Sequence, residues 1–113
     1  MIVVLNLFDI LGGREKQYAE YLRRVQPVLD RNNARILVYG RTRMVYWGGC
    51  TQEYCGLIGY PSLNDLRRFS RDPDFVAIRH LRDGSTRNYI LTAIEEFPSM
   101  AAAAEFLENG RTG

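Results

Sequence analysis

Six residues of this chain have side chains suited to chemistry on a small molecule: His80, Arg82, Asn6, Tyr39, Arg41 and Tyr60. His80 is the single histidine and the one side chain that titrates near neutral pH without perturbation, which makes it the natural proton carrier. Late in a helix it also reads as a partly exposed residue favoured by the helix dipole. Arg82 follows two positions on; its planar fork matches a substrate carboxylate, or a structural ion pair with Asp9 or a helix-end carbonyl. These two are the catalytic candidates. Asn6 sits inside an apolar run, so it needs a hydrogen-bond partner if buried, either in the core or on a pocket wall. Tyr39, Arg41 and Tyr60 offer a hydroxyl, a cation and an aromatic surface, the mix of a small-ligand pocket, with sheet packing the other reading of Tyr60. With Asn6 they are the substrate-binding candidates.

Several chemistries find no support. There is no glycine-rich phosphate loop, no carboxylate pair at a useful spacing and no nucleophile motif. Cys50 and Cys55 have no second cysteine pair and a single histidine elsewhere, too few ligands to close a zinc site. They read as two thiols or as a short disulfide across a loop, the thiols being expected in a cytosolic chain. No metal and no cofactor is expected, although one histidine alone is able to hold haem. Fifteen basic residues against thirteen acidic ones leave a net charge of +2, too slight to point to nucleic acid. Fourteen of the fifteen are arginine, which suits anion binding and is equally a product of a GC-rich genome. The cluster Arg67, Arg68 and Arg71 is interleaved with Asp65, Asp72 and Asp74 and reads as a solvated helix face. No apolar run approaches the roughly 20 residues of a membrane helix, and the first ten residues lack signal-peptide features. A cytoplasmic protein is expected.

The candidates must be positioned by the elements around them. Residues 2–10 are β-branched and apolar and predict a strand covered on both faces. After Gly12-Gly13, Tyr18, Tyr21, Leu22, Val25, Val28 and Leu29 recur at helical spacing, with Pro27 bending the helix or marking its last turn and Asn32-Asn33 capping it. Residues 35–47 alternate as one long strand, with Ile36, Val38 and Gly40 on one face and Leu37, Tyr39 and Arg41 on the other. A glycine-rich connection leads to a third strand over 55–60. Ser62 and Asp72-Pro73 are helix starts, and Gly84 is a stop. In the second of these helices Phe75, Ile78 and Arg82 share a face, with Arg79 beside them. Residues 85–97 form a fourth strand with Ile90 and Ile94 opposite Tyr89, Leu91 and Ala93, and Pro98-Ser99 opens a short alanine-rich helix.

The order is β-α-β-β-α-β plus a C-terminal helix, an α+β ferredoxin-like arrangement with both helices on one face of a four-stranded antiparallel sheet. Its length of 113 residues fits one domain, over 1–97, with 98–113 as a helical tail. The other sheet face, expected to carry Leu37, Tyr39 and Val45, is too apolar to stay in water. A second copy is the simplest cover, so a homodimer is predicted.

Tyr18-Ala19-Glu20-Tyr21, Asn33-Ala34-Arg35-Ile36-Leu37, Tyr60-Pro61-Ser62, Asp72-Pro73-Asp74-Phe75 and the stretch from Arg79 through His80 and Arg82 to Ser85 resemble, in order and spacing, the bacterial domain-of-unknown-function family numbered 1330. The likeness covers roughly residues 2–96, and the Arg82-to-Ser85 close meets the family's Arg-x-x-Ser pattern. The chain departs from the family in having Asn33-Ala34 for Gly-Gly, Phe69-Ser70-Arg71 for an aromatic pair, and a tail after residue 97. The resemblance implies the dimeric α/β-barrel superfamily and a pocket beside the sheet. That superfamily holds cofactor-free oxygenases, isomerases, decarboxylases and haem enzymes, so a pocket is implied and a reaction is not. The resulting expectation is a cofactor-independent enzyme acting on a small aromatic or carboxylate-bearing molecule; a non-catalytic binding dimer is the alternative.

Overall fold

The computed structural model describes residues 1–49 and 52–110. Cys50 lies outside the described residues, and with it the question of a Cys50–Cys55 bridge. The elements are β1 (Ile2–Ile10), α1 (Glu15–Arg31), β2 (Arg35–Arg41), β3 (Tyr54–Tyr60), α2 (Leu63–Arg71), α3 (Pro73–Asp83), β4 (Thr86–Glu95) and α4 (Met100–Glu108). The four strands form one antiparallel sheet in the order β2-β3-β1-β4, which is the expected ferredoxin-like topology. No helix among the described residues is long and apolar enough to cross a membrane.

Strand alternation gives the sheet two distinct faces. Val4, Asn6 and Phe8 of β1 turn toward the helices, opposite Ile58, Gly56 and Tyr54 of β3. Phe8 is fully buried and is the hub of this side: its ring stacks on Tyr89 at 5.0 Å and Tyr54 at 5.7 Å, and meets Tyr18 of α1 at 5.3 Å. Val4, Tyr21, Val25, Leu29, Tyr60 and Phe69 continue the core between sheet and helices. The opposite face stays open, with Leu37, Val38, Ile90 and Ile94 each about two-fifths to one-half exposed.

Two irregularities decide which residues reach which face. In β2, Ile36 pairs with Ile58 while Val38 already pairs with Leu57, so Leu37 is an extra residue. Such a bulge reverses the alternation beyond it. Ile36 and Tyr39 therefore both face the helices, and Leu37 packs on the outer side near Gly59. This corrects the expectation that Tyr39 belongs with Leu37. In β4, Leu7 pairs with Ile90 but Asp9 with Arg87, and the extra residue is Asn88 at φ 54°. Its side chain donates to Asp9 Oδ2 at 2.9 Å, holding a conformation that Asn tolerates better than most residues.

The long strand predicted over 35–47 ends at Arg41. Thr42 still bonds the Glu53 carbonyl at 2.7 Å, but Tyr46 and Trp47 are 93% and 96% exposed. With no face to bury, this stretch gains nothing from the alternation its sequence displays. Pro27 lies inside α1, just before its last turn; the helix runs on to Arg31, with Asn32 as its cap and Asn33 at φ 61°.

The helix starts are as read. Ser62, Asp72 and Ser99 accept from the backbone N–H groups of Asp65, Asp74 and Ala102. Gly84 ends α3 for a reason other than handedness. Its φ is −82°, but a Cβ there would lie 3.0 Å from Gln17 Nε2 and 3.1 Å from the His80 carbonyl. The glycine thus admits α1 to the end of α3, where Gln17 donates to the Leu81 carbonyl at 3.1 Å. The tail helix α4 forms as expected and buries none of its residues; Phe106 meets Phe97 at 5.2 Å.

Candidate small-molecule site

Between the helix-facing side of the sheet and helices α1 to α3 lies a cavity of about 430 Å³, a size typical of small-molecule sites. Five tyrosines line it: Tyr18 and Tyr21 from α1, Tyr39 from β2, Tyr60 from β3 and Tyr89 from β4. Aliphatic and aromatic side chains including Val25, Leu29 and Phe69 complete the walls.

Arg82 supplies the charge. It comes from the last turn of α3, which is pinned by Gln17 and by the hydroxyls of Ser85 and Thr86 donating to the Leu81 and Arg82 carbonyls at 2.6 and 2.8 Å. The guanidinium lies 5.3 Å from the Tyr89 ring centroid and 5.6 Å from that of Phe75, a cation–π arrangement that fixes its plane. Its Nε donates to Asp83 at 3.1 Å, and the guanidinium lies against the Tyr21 hydroxyl on the cavity wall. Arg79, paired with the same Asp83 at 3.5 Å, lines the rim. Among the described lining residues there is no aspartate, glutamate or histidine, and the two arginines there share the single carboxylate of Asp83.

Asn6 finds its partners on the wall. Its Oδ1 accepts from the Tyr89 hydroxyl at 2.8 Å, and its amide reaches the Val4 and Gly56 carbonyls at 3.4 Å. The hydroxyls of Tyr18 and Tyr39 bond each other at 2.8 Å. Burial pushes the hydroxyl pKa of Tyr39 up to about 12, with the bond from Tyr18 opposing. Those of Tyr18, Tyr60 and Tyr89 also rise, mainly through burial. Tyr21 moves the same way for the same reason, with Arg82 opposing. These phenols stay protonated at neutral pH and act as hydrogen-bond donors. Donors fixed in a low-dielectric cavity stabilise a developing oxyanion.

Four of the six sequence candidates, Asn6, Tyr39, Tyr60 and Arg82, meet here. His80 is on the exposed side of α3, outside the lining: two positions before Arg82 is about 200° around a helix. Arg41 ends β2 exposed and also lies outside it. Tyr18, Tyr21 and Tyr89 were visible only as a helix stripe and a strand face, because periodicity marks an inward-facing residue without telling core from cavity wall.

The family model described as Domain of unknown function (DUF1330) matches residues 12–93. Among solved structures, a protein of unknown function from Rhodopseudomonas palustris is 19% identical, with 87% of this chain and 83% of that one covered at a TM-score of 0.75. A dimeric ferredoxin-like protein of unknown function from Jannaschia sp. CCS1 is 14% identical, with 84% and 98% covered and a TM-score of 0.72. SnoaB, a cofactor-independent oxygenase from Streptomyces nogalater, is 11% identical, with 88% and 95% covered and a TM-score of 0.64. No curated protein matches the chain. At these identities the solved structures establish the shared fold.

Proposed function

We propose that this chain, which belongs to the DUF1330 family, is a homodimer whose cavity binds a small organic anion with an aromatic body and acts on it without an organic cofactor. The observation that carries the reading is the placement of Arg82, clamped between the rings of Phe75 and Tyr89 in a cavity with no carboxylate among its described lining residues. Arg82 and Arg79 share the one carboxylate of Asp83 and have no acid facing them across the cavity, an excess of positive charge that favours an anionic guest, and the tyrosine walls favour an aromatic one. SnoaB is a cofactor-independent oxygenase on the same fold, an analogy that supports the absence of a cofactor here.

His80, outside the cavity, has no part in this proposal as a proton carrier. The cavity acts by holding the substrate's own anion, with Arg82 and the tyrosine hydroxyls as stabilisers. A non-catalytic binding role is the second reading. It is favoured by the lack, among the described lining residues, of a side chain that titrates near neutrality. Self-association is supported by the open apolar face of the sheet and by the dimeric Jannaschia protein.

A thermal-shift screen of aromatic acids against the purified protein tests the proposal, followed by mass spectrometry of the stabilising compounds. Acids are expected to stabilise the wild type and not Arg82→Gln. A changed mass supports turnover, tight binding with no product supports the binding role, and stabilisation only by cations or neutral compounds contradicts both.

A further inference from the structure

Charge is divided between two corners of the sheet. From residue 36 to residue 52 the chain carries Arg41 and Arg43 and no acid; from residue 88 to residue 110 it carries Glu95, Glu96, Glu105 and Glu108 and no base. All six side chains are exposed, and none has a hydrogen-bond or ionic partner among the described residues. Arg41 ends β2 and opens an arm over residues 42–49; Glu95 ends β4 and opens the tail with α4. Each bears apolar groups that its own chain leaves exposed, Met44, Tyr46 and Trp47 on the arm and Met100, Phe106 and Leu107 on the tail. Both stand off the body: the radius of gyration is 16.0 Å, against about 13 Å for a compact domain of this length.

Arm and tail do not meet within one chain. Arg41 pairs with Tyr54, level with Phe8 near the end of β1, whereas Glu95 pairs with Ile2 at its beginning. Since β2 and β4 are the two edge strands, arm and tail leave from diagonally opposite corners. A two-fold axis lying in the outer face along the other diagonal exchanges those corners and turns the strands of one copy across those of the other, an orthogonal packing of sheets. Resting on the reading that two copies pair through their outer faces, we infer that the basic, apolar arm of each docks on the acidic, apolar tail of the other. The contact forms twice in one dimer and sets its crossed arrangement. With two acids and no base, α4 is the opposite of a helix suited to an anionic lipid surface.

Trp47, the single tryptophan, reports on this contact through its emission. In the wild type that emission is expected to move to shorter wavelength as concentration is raised through the monomer–dimer transition seen by sedimentation velocity. Glu105→Arg with Glu108→Arg, or Arg41→Glu with Arg43→Glu, is expected to weaken the dimer about tenfold or more and to return Trp47 to its exposed wavelength. All four substitutions together are expected to restore both. A wild-type dimer whose Trp47 emission equals that of the monomer overturns the inference and leaves the dimer reading standing, as does a fourfold variant no better than either pair alone. Emission that shifts with phosphatidylglycerol vesicles and not with protein concentration also overturns it, placing the arm on a lipid surface. A wild type that stays monomeric overturns the dimer reading, and the inference with it. If a reversed variant fails to fold, as judged by circular dichroism, the wild-type emission still decides.

Discussion

Arg82 and Asn6 are joined through one side chain: the guanidinium lies over the Tyr89 ring at 5.3 Å, and the hydroxyl of that ring donates to Asn6 Oδ1 at 2.8 Å. A cation at the end of α3 and an amide in the middle of β1 are thereby fixed relative to one another across the cavity. Tyr89→Phe keeps the ring beneath Arg82 and removes the donor. Leaving the partly buried Asn6 oxygen without its partner costs about 1–3 kcal/mol, which urea unfolding will show, while aromatic acids keep most of their affinity. A loss of acid binding as large as that of Arg82→Gln would place the hydroxyl, and not the ring, at the anion site.

Gly56 and Gly59 lie on opposite faces of β3 and separate cavity from outer face. A Cβ at Gly56 would stand 3.0 Å from Tyr39 Cδ2, whereas one at Gly59 would meet Met1 Sδ at 2.6 Å, the movable end of a chain-terminal side chain. Gly56→Ala is expected to push Tyr39 off Tyr18 and weaken aromatic-acid binding several-fold; Gly59→Ala leaves it unchanged. Calorimetric titration of both variants checks this, and equal effects would contradict the assignment of faces.

Arg31 forks onto Asp72 at 2.7 Å and reaches Asp74 at 2.9 Å. The Arg31 guanidinium, and then Asn32, lower the Asp72 carboxyl from 3.8 to about 2. A carboxyl depressed on folding stabilises the protein above its unfolded pKa and loses that contribution as pH falls through the folded value. Stability is expected to fall between about pH 4 and pH 2, and Asp72→Asn, which keeps an N-cap oxygen, flattens that fall. Thermal unfolding at pH 5 and pH 2.5 with the same slope in both proteins would contradict the pairing.

The sequence announced these features unequally, and the division is physical. Ser62, Asp72 and Ser99 were readable as caps because a cap is a local hydrogen bond. Arg82 was readable beside Phe75 and Ile78 because helical spacing is regular. Tyr39 was assigned to the wrong face since one inserted residue, Leu37, reverses alternation, and nothing in the residue types marks the insertion. The strand read over 35–47 failed beyond Arg41 because alternation predicts a strand only where a face is buried. His80 drew notice by chemistry alone, and its neighbour's position on the helix, not its own, points into the cavity.

Self-association rests on the outer face, where Val38, Ile90 and Ile94 stand 52%, 43% and 41% exposed. Ile90→Asp puts a charge in the middle of that face and is expected to yield monomers in sedimentation velocity runs at micromolar concentration, with helix and strand content unchanged by circular dichroism. A wild type that sediments as a monomer under the same conditions would remove the dimer from the account.

The most direct measurement titrates 4-benzylbenzoate and its uncharged primary amide into wild type and Arg82→Gln. The wild type is expected to prefer the acid about tenfold or more, a difference of about 1.4 kcal/mol or above, and the variant to bind the two alike. Equal affinities in the wild type, or a preference that survives in Arg82→Gln, would contradict the claim that this cavity is built to receive an anion.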